Sequence, residues 1–180
     1  MKTSFFTIGH STRTLAELVE LLRSAEVSLL VDIRTVPRSK TNPQFNKDTL
    51  PTALAASDIS YEHMAALGGL RPKSRTVAPD VNAFWTNESF HNYADYALSE
   101  EFSVALGGLQ EEGRTRRCAI MCSEAVWWRC HRRIVTDYLI ARQEAVFHIM
   151  GRGRLEAARL TPGAVIRPDE TIIYPAANPH

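Results

Sequence analysis

The sequence predicts an α/β protein: a mostly parallel open sheet with helices on both faces, a Rossmann-like three-layer sandwich. Three observations predict this fold. The chain opens with an apolar run at 5–8, a helical pattern at 15–25 and a second apolar run at 28–33, which together indicate a βαβ unit. Later runs at 117–122 and 145–149 are apolar on both faces, as central parallel strands are. A helical pattern separates these two late strands.

The helices carry start signals that support this order. Thr14 and Glu17 have the spacing of a capping box at the start of the first helix. Ser99 has the position of an N-cap before a helix over 100–112. The remaining predicted elements are helices at 48–56, 88–98 and 130–142, a brief strand at 59–61, possible edge strands at 165–166 and 171–174, and irregular loops at 34–47 and 68–85.

The chain length and composition predict one domain in the cytoplasm. A length of 180 residues suits a single α/β domain over 1–150, with a C-terminal extension over 151–180 packed on it. The apolar start is too short for a signal peptide, and no apolar run reaches about 18 residues, so we expect no membrane partner. Three cysteines, an odd number, do not suggest a disulfide framework, and we expect free thiols in a reducing compartment.

The charge argues against a general polyanion binder, because the formal net charge is only +1. Cations are nevertheless clustered, and each cluster fits either a local anion site or a solvated face. The clusters are Arg34, Arg38 and Lys40; Arg71, Lys73 and Arg75; and Arg114, Arg116, Arg117, Arg129, Arg132 and Arg133.

Polar and titratable residues gather where the predicted strands end. Ligands of open parallel sheets bind outside the carboxyl ends of the strands, so these residues predict the site. We predict catalytic roles for Cys122, Glu124, Cys130 and His131. We predict substrate or anion binding by His10, Ser11, Asp32, Arg34, Arg38 and Arg132.

The thiol chemistry rests on the position of Cys130 near a predicted helix start. The positive end of a helix dipole and neighbouring cations favour a thiolate, and free N–H groups at the same end favour a phosphate or carboxylate. Glu124 is then a candidate general acid or base, or the residue that orients His131. Other residues favour structural roles: His148 lies inside an apolar strand, and Cys118 suits a small core side chain.

Several motifs together resemble a bacterial and archaeal family known only as domain of unknown function 488. They are Thr7-Ile8-Gly9-His10-Ser11, Asp32-Ile33-Arg34 with Pro37 and Ser39, Phe45-Asn46, Tyr61 with Leu67-Gly68-Gly69, Met121-Cys122-Ser123-Glu124 with Cys130-His131-Arg132, and His148-Ile149. The resemblance covers about residues 5–150 and implies a shared site without a known reaction. One departure is Trp127, where the family pattern often has proline, so we expect Trp127 and Trp128 to give the loop a bulkier wall.

A weaker analogy links the chain to rhodaneses and cysteine phosphatases, in which backbone N–H groups and an arginine hold an anion above a thiolate. The distance from Cys122 to Arg129 is one residue longer than the phosphatase spacing, and the loop lacks glycine. This likeness therefore supports only a general expectation of an anion near a thiol.

Three functions fit these residues. The first is an enzyme that acts on an anionic substrate, a nucleotide or nucleic acid, through the Cys, Glu, His and Arg site. The second is a zinc site built from Cys122, Cys130, His131 and His10, although Cys130 and His131 are adjacent and point about 100° apart on a helix. The third is a non-catalytic nucleic-acid binder in which Trp85, Trp127 or Trp128 stacks on bases. The sequence indicates neither a cofactor nor an oligomeric state.

Overall fold

The structure, a computed structural model, describes residues 4–177. The predicted first strand, residues 5–8, lies within this range. In chain order the elements are β1 (Ser4–Gly9), α1 (Leu15–Ser24), β2 (Leu29–Asp32), α2 (Leu50–Ala55), β3 (Ser60–His63), α3 (Glu88–Tyr96), α4 (Glu100–Thr115), β4 (Cys118–Cys122), α5 (Arg132–Ala141), β5 (Ala145–Gly151), β6 (Arg154–Ala157), β7 (Val165–Ile166) and β8 (Ile172–Ile173). Short 3-10 turns occur at Pro43–Phe45, Ala65–Leu67 and Trp127–Arg129.

The main sheet has six strands in the order β3-β2-β4-β1-β5-β6. The first five run parallel, and β6 pairs antiparallel with β5. The connection from β1 to β2 and the connection from β4 to β5 leave the centre of the sheet in opposite directions. Such a switch in strand order opens a crevice at the carboxyl edge.

Alternating side chains of the strands form two cores, one on each face of the sheet. One core packs Phe6 and Ile8 of β1 against α1 and α2. The other packs Phe5 and the opposite face of β4 against α3, α4 and α5. The predicted α/β fold with helices on both faces of a mostly parallel sheet is confirmed. Among residues 4–177, no helix combines the length and apolar content that crossing a membrane requires.

Both predicted caps are present. The Thr14 hydroxyl accepts a hydrogen bond from the Glu17 N–H at 3.1 Å, and the Ser99 hydroxyl accepts one from the Phe102 N–H at 3.3 Å. The start of α5 differs from the prediction, because Cys130 is extended (φ −127°, ψ 147°) and the helix begins at Arg132. Cys130 therefore lies just before the helix.

The C-terminal strands also differ from the prediction. β7 and β8 pair with each other in a separate two-stranded sheet and do not extend the main one. The added edge strand is β6, which the sequence analysis did not predict; it is only four residues long and all four are exposed, so it offers a short and weak strand signal. The turn before it contains Gly153 at φ +68°, a conformation that glycine adopts readily.

The segment after residue 150 is tied to α5 through a buried carboxyl. Asp137 accepts hydrogen bonds from the Thr161 N–H at 2.9 Å and from the Tyr174 hydroxyl at 2.8 Å. The Tyr138 hydroxyl donates to the Ile172 carbonyl at 3.2 Å. These contacts support an extension packed on the same domain, while the division at residue 150 stays a prediction.

Burial raises the pKa of Asp137 to about 6, against the opposing effect of its hydrogen bonds. A raised pKa means that the folded state favours the neutral carboxyl. The neutral Asp137 carboxyl therefore contributes to the unfolding free energy fully below about pH 4, and this contribution is lost as the pH rises through about 6. Relative to Asp137→Asn, we expect the unfolding free energy of the wild type to fall by on the order of 3 kcal/mol between pH 4 and pH 7. Denaturant titrations at several pH values measure this difference, and a difference that stays constant with pH contradicts the prediction.

Candidate functional site

A cavity of about 730 Å³ opens at the carboxyl ends of β1, β2 and β4. Eight of the ten predicted site residues line it: His10, Ser11, Arg34, Arg38, Cys122, Glu124, Cys130 and His131. The other two, Asp32 and Arg132, are 0% and 1% exposed and lie behind its wall. Parallel strands bring these distant segments together at one edge of the sheet.

Arg132 is the centre of the wall on the α5 face. Its Nη1 donates to the Cys122 Sγ at 2.7 Å and to the Glu124 carbonyl at 2.7 Å, and its Nη2 donates to the Ala125 carbonyl at 3.3 Å. The Arg132 Nε has no hydrogen-bond partner among the described residues. Within residues 4–177, no aspartate or glutamate forms an ion pair with Arg132. Burial lowers its pKa to about 10, so the guanidinium stays charged at neutral pH.

Gly9 makes room for this arrangement. It pairs with Cys122 across β1 and β4, and a Cβ built at Gly9 would lie 1.6 Å from the Glu124 carbonyl oxygen and 3.0 Å from the Arg132 Nη1. The backbone ladder continues beyond the strands, where the Ser11 N–H donates to the Ser123 carbonyl at 2.9 Å. Gly9 therefore lets the loop after β4 fold back over the end of β1.

Cys130 and His131 stand next to Cys122, just before α5. The His131 Nε2 lies 2.9 Å from the Ile33 carbonyl, which can only accept, so Nε2 carries the proton. Burial lowers the pKa of His131 to about 4, and the ring is neutral at pH 7. Its bare Nδ1 then faces the Cys130 Sγ at 3.5 Å. The same sulfur accepts the Arg132 N–H at 3.4 Å, which satisfies one free donor of the helix start.

The expectation of three free thiols is wrong for two of them. The sulfur atoms of Cys122 and Cys130 are in contact, and the structure joins them as a disulfide across eight residues. Cys118 alone is free, and burial raises the pKa of its thiol to about 12. The count of cysteines did not reveal this pair because the strand and the helix start that hold them meet only in the folded chain.

Asp32 and Arg34 bind each other on the α1 face. The Arg34 Nε donates to Asp32 Oδ1 at 2.9 Å and its Nη2 to Oδ2 at 2.7 Å, while the Phe45 carbonyl accepts a further bond from Nη2 at 2.6 Å. The Tyr61 hydroxyl donates to Asp32 at 2.5 Å. Asp32 is therefore a positioning residue for Arg34, which presents Nη1 towards the cavity.

His10 accepts that remaining donor. Its Nδ1 donates to the Ser11 carbonyl at 2.9 Å, so the bare Nε2 accepts from the Arg34 Nη1 at 3.3 Å. Burial and the Arg34 charge lower the pKa of His10, and its ring stacks on Phe45 at 4.5 Å. His10 is thus held as a neutral imidazole in the cavity wall.

The mouth of the cavity is exposed and positively charged. Arg38, Arg129 and Glu124 are exposed there, and within the described chain the guanidinium groups of Arg38 and Arg129 form no hydrogen bond or ion pair. Three arginines and one carboxylate line the described cavity. The arrangement is suited to an anionic group at the mouth and a thiol in the wall.

Sequence reasoning missed several lining residues. Gly69 approaches His131 so closely that an added Cβ would lie 2.6 Å from its Nδ1, and the paired glycines Gly68 and Gly69 were the available signal. Asn42 and Ser89 also line the cavity, but they come from a loop and from α3 with no motif to single them out. Exposed Val36 and Leu70 give the rim an apolar part.

Loops as long as 68–85 often serve as lids or binding loops. The structure ties this loop down at several points. Arg71 donates to the Ala65 carbonyl at 2.8 Å, Asn82 donates to Asp95 at 2.7 Å, and the Phe84 N–H donates to the Tyr174 carbonyl at 3.0 Å. These anchors argue against a freely opening lid.

The surroundings of the tryptophans and of the candidate metal ligands bear on two alternative functions, the nucleic-acid binder and the zinc site. Trp85 is 7% exposed and Trp127 stacks on His148 at 4.6 Å, so of the three tryptophans only Trp128, at 44% exposed, is open to stack on a base. Trp127 does not line the cavity and so does not form the bulky wall that we expected. His148 forms a hydrogen bond with the Thr7 hydroxyl at 2.6 Å, as a core histidine does.

Among residues 4–177, no group of three or more His, Cys, Asp or Glu side chains is arranged to hold a metal ion, which gives the zinc alternative no support.

The close approach at Gly9 predicts a selective stability effect. In Gly9→Ala the added Cβ would lie 1.6 Å from the backbone carbonyl oxygen of Glu124, so the backbone has to shift, and we expect a loss of about 3 kcal/mol or more of unfolding free energy. Gly107→Ala is the matched control, because nothing lies within 4 Å of its added Cβ on α4 and helix propensity favours alanine by about 1 kcal/mol. Denaturant unfolding of both variants tests the packing; equal stabilities would contradict it.

Comparison with known proteins identifies a family for this chain. The family model described as "Domain of unknown function DUF488" matches residues 14–139, which include β2, β4 and the start of α5. Neither the curated proteins nor the solved structures contain a match. The family model covers more than half of the chain and spans the two cysteines of the cavity. The chain therefore belongs to the DUF488 family, a family of domains of unknown function.

Proposed function

We propose that this protein is an enzyme that acts on an anionic substrate, a nucleotide or nucleic acid, with the reduced Cys122 as its nucleophile. The observation that carries the proposal is the buried guanidinium of Arg132 placed 2.7 Å from the Cys122 sulfur. A charge buried without a partner costs on the order of several kcal/mol. A Cys122 thiolate supplies the negative charge that Arg132 otherwise lacks.

The two thiols of the reduced protein then differ in role. Cys122 faces a cation, which favours the thiolate, the form that acts as a nucleophile. Cys130 faces the bare Nδ1 of a neutral His131, to which a protonated thiol can donate. The sequence favoured Cys130 as the reactive thiol; the contacts of Arg132 favour Cys122.

The anionic end of the substrate lies at the mouth of the cavity. Arg38 and Arg129 have guanidinium groups available for a phosphate, and a charge-assisted hydrogen bond contributes about 1.5–3 kcal/mol. The hydroxyls of Ser11 and Ser123 line the same space and can donate to phosphate oxygens. The cavity volume lies within the range of small-molecule sites and suits a nucleotide.

Glu124 completes the chemistry as a general acid and base. In the first step the Cys122 sulfur forms a bond to the electrophilic atom of the substrate as the bond to the leaving group breaks, and the leaving group takes the proton of Glu124. In the second step Glu124 accepts a proton from water, which attacks the same atom and releases the Cys122 thiolate. Glu124 and Cys122 both line the cavity, which supports this pairing of roles. A cytoplasmic location, where thiols stay reduced, is part of this proposal.

The thiolate is tested by alkylation of the reduced protein over a range of pH, read for each cysteine by mass spectrometry with iodoacetamide as the probe. We expect Cys122 to label with a midpoint below about pH 7 and Cys118 to stay unlabelled, because Cys118 is deeply buried. Arg132→Met should raise the Cys122 midpoint by about one pH unit or more, and Arg132→Lys should restore part of the shift. Circular dichroism checks the fold of both variants, and the wild-type profile is decisive if they unfold. A wild-type Cys122 midpoint near pH 8.5 would remove the proposed nucleophile.

The anion site is tested by calorimetric binding of adenosine monophosphate, inorganic phosphate and a short single-stranded oligonucleotide to the reduced protein. We expect the double variant Arg38→Ala, Arg129→Ala to lose about tenfold or more in affinity, since each arginine contributes a charge-assisted bond. Arg159→Ala is the matched control, because Arg159 is exposed and away from the cavity. Absence of binding to the wild type, or equal affinities in all three proteins, would contradict the anion site. Binding of the oligonucleotide alone, with a steep salt dependence, would favour a nucleic-acid substrate.

A further inference from the structure

We infer that the Cys122 and Cys130 pair is a reversible, peroxide-responsive switch that turns the proposed enzyme off by linking its nucleophile to its neighbour. The inference rests on the proposed function, since it assigns a regulatory chemistry to the same nucleophile. It takes a hydroperoxide as the oxidant and a small dithiol as the reductant.

The first observation is that the two sulfurs are already in contact in the folded chain. Cys122 ends the strand β4, while Cys130 is held before α5 by the bond from the Arg132 N–H to its sulfur. Disulfides in reducing compartments are usually transient and belong to catalytic or redox-sensing thiols.

The second observation is that the environment of the pair favours oxidation at one sulfur. Arg132 favours the thiolate of Cys122, which is the form that attacks a peroxide. Both cysteines line the cavity, so a small peroxide entering it reaches them. Cys118 lies on β4 in the core, and burial raises its thiol pKa to about 12, which keeps it out of the exchange.

The oxidation balances in two steps. The Cys122 thiolate attacks the hydroperoxide, an S–O bond forms as the O–O bond breaks, and the departing alkoxide takes a proton from water to leave as an alcohol. The Cys130 thiol then attacks the sulfenic sulfur, an S–S bond forms as the S–O bond breaks, and the leaving hydroxide takes the proton of the Cys130 thiol and departs as water. Two thiols lose two electrons, which reduce the peroxide to an alcohol and water.

The reverse reaction is favoured by the same arginine. A dithiol that attacks Cys130 expels Cys122 as its thiolate, and Arg132 stabilises this leaving group. In the linked form the Cys122 sulfur carries no charge and cannot attack a substrate. The disulfide link therefore protects the Cys122 nucleophile from irreversible oxidation and inactivates it at the same time.

The test uses the full chain, reduced with dithiothreitol and then treated with one equivalent of hydrogen peroxide. Remaining thiols are alkylated, and peptides are read by mass spectrometry. We expect one intramolecular link between Cys122 and Cys130, loss of two alkylatable thiols, and full recovery on new reduction. In Cys130→Ser we expect a sulfenic acid on Cys122 that dimedone traps, and Cys118→Ser should behave as the wild type.

Two results would overturn the switch. One is oxidation of wild-type Cys122 to sulfinic acid without a link to Cys130, and the other is a link that involves Cys118. The pH profile of alkylation distinguishes a failure of the proposed Cys122 nucleophile from a failure of the switch alone. If Cys122 labels near neutral pH but peroxide forms no link, the switch alone fails; if Cys122 labels only near pH 8.5, the proposed nucleophile fails and the switch with it.

Discussion

The contact between Arg132 and the carboxyl end of β4 organises the cavity. A single guanidinium, 1% exposed, holds the Cys122 sulfur and the carbonyls of Glu124 and Ala125. These bonds hold the loop that leads from the strand into α5. Burial of an uncompensated charge is costly. In the proposed function a Cys122 thiolate offsets this cost in the reduced protein and is also the nucleophile.

A second buried arginine, Arg34, lies on the opposite face of the sheet and differs from Arg132 in its partner. There the buried Arg34 has a full carboxylate partner in Asp32, which in turn accepts from Tyr61. Arg34 is thus neutralised within the protein, and its remaining donor is taken by His10. Burial alone therefore does not assign a role to an arginine. Arg34 is paired with a carboxylate, while Arg132 has no acidic partner among the described residues and is proposed to stabilise a thiolate.

The neutral histidines set limits on the acid and base chemistry. His10 and His131 each donate one ring proton to a backbone carbonyl, and burial lowers the pKa of both. Neither ring is charged at neutral pH, so neither is the cation that activates the thiol. In the proposed function that role belongs to Arg132, and proton transfer to a leaving group belongs to the exposed Glu124. The proposed site therefore separates the charge that stabilises the nucleophile from the group that moves protons.

The sequence by itself determined the fold class and the edge of the sheet at which the cavity lies. Apolar runs, the caps at Thr14 and Ser99 and the ends of three strands are local patterns, and local patterns survive in the sequence. Only the tertiary structure decided which partner each polar residue has. The contacts between Arg132 and Cys122, between Cys122 and Cys130, and between Gly9 and the Glu124 carbonyl depend on how strands and helix ends meet in space. The strand β6 escaped prediction for a related reason, because its four exposed residues are a weak local signal and it is held in place by backbone pairing with β5.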